Sequence, residues 1–225
     1  MKSGKIFLYH VFPILLVMFP FLYVALGGSQ HQMNGELGFI ELSTVVILFV
    51  AIGFCVAAIR QVRRLAHTPY LKAWLLVLIA GAAYFALEEM SYGQHLFGWS
   101  TPEGLRELNY QEETNLHNVH AICDRVPRAL LTLGILVGGV ILPLYRQFRG
   151  QPLSESNRFY WQWPTMDCVT IGLLVILIRP FFTLFEQDAI LVGELKEQFF
   201  ALFILLYCIS LQRRIQLKVS VRAGG

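Results

Sequence analysis

The feature that most limits what this chain can become is a succession of long apolar runs, at about 6–27, 39–60, 71–91, 127–146, 165–185 and 195–212. Crossing the hydrocarbon core of a bilayer takes about 20 helical residues, and each run has that length or nearly so. No water is present there to satisfy backbone amides, so a crossing segment must satisfy them within itself, as a helix does. The expected fold class is an all-α integral membrane protein, a single transmembrane domain over 1–225 built as a six-helix bundle. Composition points the same way: 15% of residues are charged, against about 25% in soluble domains.

Charge is sorted along the chain. Lys2 and Lys5 precede the first run, Arg60, Arg63, Arg64 and Lys72 separate the second from the third, Arg146, Arg149 and Arg158 separate the fourth from the fifth, and Arg213, Arg214, Lys218 and Arg222 follow the last. With six spans these clusters share one side, and the excess of Lys and Arg marks it as cytoplasmic, with both termini there. Of the 15 acidic residues, only Glu155 and Asp167 fall on that side. A net charge of +3 therefore conceals a strongly polarised molecule. The expected location is the cytoplasmic (inner) membrane of a cell. The basic tail suits anionic membrane lipid, not nucleic acid.

The first run follows a short basic start, as a signal peptide does, but its apolar region is too long for most, and it is taken as a retained span. Cys55, Cys123, Cys168 and Cys208 have no metal-ligand spacing. Apolar burial is expected for Cys55, Cys168 and Cys208.

Connections are short except 92–126, which the topology puts on the outer, periplasmic side as an interfacial helical segment. Ser100 or Thr101 caps a short helix with Pro102 at its first position and Glu103 next. A second helix is expected from near Tyr110. On it Glu113, His117, His120 and Asp124 stand at i, i+4, i+7 and i+11, within a sector of roughly 60°. Near the end of the third run, Glu88, Ser91 and His95 fall at i, i+3 and i+7, with Glu89 about 100° away. If 92–126 folds back over the bundle mouth, the two faces meet. Arg179 lies inside the fifth run, where an unpaired charge costs about 2.5–3.5 kcal/mol on insertion scales, so Glu41, Glu88 or Glu89 is its expected partner.

The stretches EEMSYGQHLFGWSTPE and NYQEETNLHN resemble a signature of bacterial multi-pass membrane proteins of uncharacterised function. There a Glu-Glu-x-Ser-x-Gly-Gln stretch is followed by Phe-Gly, Thr-Pro-Glu and Gln-x-Glu-Thr-Asn-Leu-His-Asn. The match covers about 88–118 and implies no activity. By position it picks out Glu88, Glu89, Ser91, Gly93, Gln94, Thr101, Pro102, Asn109, Gln111, Glu113, Asn115, His117 and Asn118. An Arg usually stands in the signature where this chain has His95, and His120 lies outside it.

Three functions fit these residues. In the first, the chain is a membrane-embedded enzyme, a hydrolase or transferase acting on a lipid or polyprenyl-linked substrate. Glu88, Glu89, Glu113 and His117 would then be its catalytic groups, and Ser91, Gln94, Asn115, Asn118 and Arg179 would position substrate. A divalent metal held by Glu88, Glu113, His117 and His120 is one form of that site. In the second, the same network is structural and the chain is a membrane assembly factor or partner-binding subunit, with protein partners in the membrane. In the third, Glu41, Glu88, Glu89 and Arg179 relay protons or cations for transport, although the inner halves of the second, third, fourth and sixth runs carry almost no ionisable residues to complete a path.

Overall fold

A computed structural model describes residues 2–29, 32–33, 38–63, 69–107, 114–115, 121–151, 153–154, 157, 159–183 and 189–223. The described residues are predominantly helical, and no strand occurs among them. Five helices are long and apolar enough to cross a membrane: α1 (Ser3–Ala25), α2 (Phe39–Val62), α3 (Tyr70–Glu89), α4 (Arg125–Phe148) and α5 (Met166–Thr183). Only 17% to 39% of their apolar windows is buried within the protein. The rest, including Leu22, Val46, Phe49, Val77, Leu130 and Leu177, faces outward. Apolar surface on that scale requires a non-aqueous surrounding, as in a multi-pass membrane protein.

The sixth helix, α6 (Ala189–Ala223), differs from the other five. It runs 35 residues and carries Glu194, Lys196 and Glu197 near its start. Most of its apolar residues face other helices, with Leu195, Phe199, Leu202, Leu206, Leu211 and Ile215 fully buried and, among the described residues, only those of the last turns, Leu217 and Val221, exposed. It is the hub of the bundle, packed most extensively on α2 and then on α5. A six-helix bundle was expected; five helices have the length and composition of a span, and the sixth lies at the centre of the bundle.

Polar pins hold the hub. Gln198 of α6 donates through its amide to Ser43 of α2. The Trp74 indole N–H of α3 donates to the Tyr207 hydroxyl at 2.7 Å, and Tyr207 donates to the Gln162 carbonyl at 2.8 Å. Elsewhere the helices touch through glycine. A Cβ on Gly139 of α4 would lie 2.6 Å from the Phe203 ring, and one on Gly172 of α5 would lie 2.7 Å from Val140. Small residues let membrane helices approach this closely and gain packing that lipid cannot supply. Around Gly139 the helix widens into a π-turn, Ile135–Ile141. Cys55, Cys168 and Cys208 are buried free thiols.

Helix alternation gathers the charges into two ends. Glu41, in the first turn of α2, complements that helix's positive N-terminus, and Arg60, in its last turn, the negative C-terminus. Glu89, Arg128, Glu194 and Glu197 belong with Glu41 at an acidic end, while Lys5, Arg146, Arg213 and Arg214 belong to a basic end.

Candidate functional site

At the acidic end, α3 stops at Glu89 and the chain turns sharply. Ser91 (φ 45°), Tyr92 (φ 54°) and Gly93 (φ 90°) are consecutive left-handed residues. Two of the three have side chains, and such a backbone persists only where surrounding contacts hold it. Gly93 is needed for space as well, since a Cβ there would sit 3.0 Å from the Phe97 ring and 3.3 Å from Trp99. Those two rings stack with centroids 5.6 Å apart.

The contacts that hold the turn come from the signature residues. The Tyr92 hydroxyl donates to Glu88 Oε1 at 2.7 Å. Asn115 Nδ2 donates to Ser91 Oγ at 3.2 Å, the Thr114 N–H donates to Gln94 Oε1, and the Thr114 hydroxyl donates to Thr101 Oγ1 at 3.3 Å. Glu88, Ser91 and Asn115 are 4%, 3% and 2% exposed, so these bonds are made largely out of water. Burial, together with the bond to the Glu88 carboxylate, pushes the Tyr92 phenol far above its ordinary range, which keeps it a proton donor. The result is a polar knot that ties residues 114–115 back onto the end of α3.

Beneath the knot a cavity of about 330 Å³ lies between α3, α4 and α6. Its wall is apolar, from Val77, Leu78, Phe85, Leu131, Phe200 and Ile204. One end is charged, with Glu88, Glu89, Arg128 and Glu197. Arg128 and Glu197 form an ion pair across α4 and α6. The charges acting on Glu89 are those of Glu197, Arg128, Glu41 and Glu194. Four carboxylates from three helices thus stand near one guanidinium. Such a site favours an occupant that donates hydrogen bonds or carries positive charge over a free anion, and it offers carboxylates for moving a proton.

Several expectations take a different form here. Glu88 and Glu89 do share the cavity, while Ser91, Gln94 and Asn115 are in the knot above it. The face expected to continue from Glu88 to His95 is broken, because the helix ends and the backbone reverses at Ser91. The helix expected from Tyr110 is also broken, since Thr114 and Asn115 are non-helical and the described helix starts at Ala121. Glu113, His117, Asn118 and His120 lie outside the described residues. Among the described residues no group of three or more His, Cys, Asp or Glu is placed to hold a metal ion. Arg179 is exposed on α5 and bears electrostatically on Lys196, whereas the arginine among the carboxylates is Arg128.

Sequence reasoning missed the pairing of Arg128 with Glu197 and the part played by Thr114. One signal for the first was present: Glu194 and Glu197 are three apart on a helix, so they share a face and need a cation from a neighbour. No known protein family, curated protein or solved structure matches the chain.

Proposed function

We propose that this is a six-span protein of the cytoplasmic membrane, with both termini and the basic end in the cytoplasm. The acidic end faces outward, and 92–126 caps it there. In this reading the cavity between α3, α4 and α6 receives a lipid or polyprenyl-linked substrate for hydrolysis or group transfer. The observation that carries it is the cavity's shape and lining, an apolar wall leading to a cluster of carboxylates. A chain-bearing substrate would lay its hydrocarbon on Val77, Leu131 and Ile204 and bring a hydroxyl or amine head to Glu89. Glu89 is the candidate proton acceptor, Arg128 and Glu197 orient the head, and Glu88 is held in place by Tyr92. Glu113 and His117 flank the anchored Thr114–Asn115 pair in sequence and remain candidates for a second acid–base group.

The hydrogen bonds among Ser91, Gln94, Thr101, Thr114 and Asn115 favour a second reading for the signature itself, in which these residues scaffold the cap or a partner-binding surface. The two readings separate on Glu89→Gln. Lipid extracts from membranes containing wild-type or variant protein are compared by mass spectrometry, with thermal stability measured on the purified proteins. An enzyme loses a specific lipid conversion in Glu89→Gln while its melting temperature holds. Identical lipid profiles, with loss of stability in both Glu89→Gln and Asn115→Ala, would leave the scaffold reading.

A further inference from the structure

The larger cavity lies at the opposite end and plays no part in the proposed reaction. It measures about 950 Å³ and is bounded by the start of α1, the end of α4, the segment leading into α5 and the last turns of α6. Lys5, Arg146, Arg213 and Arg214 line it against a single carboxylate, Asp167. Lys5 takes that carboxylate at 2.7 Å. Among the described residues, the three guanidiniums have no carboxylate within ion-pair distance.

Arg214 and Arg146 are nonetheless held in place. Arg214 donates to the carbonyl oxygens of Tyr160, Trp161 and Trp163 at 2.8, 3.3 and 3.2 Å, which offset only part of its charge. Its Nε is buried without an acceptor. Arg214 also lies over the Tyr160 ring at 5.6 Å, and Arg146 over the Trp163 ring at 5.5 Å. Cations fixed by rings and carbonyls keep their charge and lose little freedom when an anion arrives. Guanidinium forks match the oxygens of a phosphate. The remaining wall includes Pro143, Leu153, Met166 and Leu217, an apolar lip beside the charge.

We propose that the basic-end cavity binds a phosphate-bearing anion, with Arg146 and Arg213 as its direct contacts and Arg214 as a fixed positive floor. The volume and the apolar lip suit the phosphate and glycerol of an anionic phospholipid, and basic pockets between membrane helices take such headgroups. A soluble phosphate compound offers the same chemistry.

The test uses the full chain, purified in neutral detergent and stripped of lipid. Thermal unfolding and native mass spectrometry follow titration with short-chain phosphatidylglycerol, short-chain phosphatidylcholine or inorganic phosphate. Saturable stabilisation by phosphatidylglycerol, weakened about tenfold or more in Arg146→Gln/Arg213→Gln, is the expected result. Stabilisation by inorganic phosphate alone, lost in the same variant, assigns the site to a soluble phosphate. Equal responses to the two lipids, or an unchanged response in the variant, overturn the proposal. If the double variant does not fold, Arg213→Lys serves instead: it keeps the charge and loses the fork, so weaker binding supports the site and unchanged affinity overturns it.

Discussion

The two ends of the bundle manage charge in opposite ways. At the basic end, Arg214 is anchored by neutral groups, three backbone carbonyls and a tyrosine ring. At the acidic end, Arg128 pairs with Glu197, and both act on Glu89 together with Glu41 and Glu194, so each charge there depends on its neighbours. The first arrangement leaves a cation with charge to spare, and the second ties its charges into one network. Neutral anchoring makes a standing site for an anion, whereas mutual pairing makes a cluster whose balance a proton or substrate can tip.

Substitutions can break that contrast, beginning with the largest effect. Arg214→Ala removes three charge-assisted bonds and leaves the Tyr160 and Trp163 carbonyls without this donor, while Trp161 keeps the Tyr207 hydroxyl, which should cost about 3 kcal/mol in chemical or thermal unfolding. Asp167→Asn should cost much less in the same measurement, because the anchors of Arg214 are carbonyls and stay in place.

Arg128→Ala comes next. It removes the partner of Glu197, and because the pair is partly accessible the expected loss is about 2 kcal/mol. Combining it with Glu197→Gln should recover part of that loss, as read from a double-mutant cycle. Simple additivity would mean that the two ends do not differ in this respect.

Gly93→Ala forces a side chain into a left-handed position 3.0 Å from the Phe97 ring. A loss of about 1–2 kcal/mol is expected, with increased protease cleavage of the cap. Asn115→Ala is the mildest. Losing the bond to Ser91 should cost about 1 kcal/mol, and hydrogen exchange should rise around Thr114 before the bundle itself loosens.

The helical class and the sorting of charge were legible because they depend on runs of local sequence. Five of the expected apolar runs form helices able to cross a membrane. The Glu88–Glu89 pair also stood out, since carboxylates at the end of an apolar run are conspicuous. Less legible was everything that depends on what lies opposite. Extending helical spacing through Thr114 and Asn115 failed because both spend their polar groups on Gln94, Thr101 and Ser91, contacts invisible to a local rule. The same blindness favoured Arg179, the more deeply placed arginine, over Arg128. Depth in an apolar run measures the need for a partner but cannot say which helix faces it.

By itself, then, the sequence determined that the chain is a polarised set of long apolar helices, because hydropathy and charge act residue by residue. Only the tertiary structure decided that α6 is the buried hub, that Arg128 stands among the carboxylates, and that the chain reverses at Ser91–Gly93. Each of these depends on distances between segments far apart in the chain, where packing and hydrogen bonding outweigh local preference.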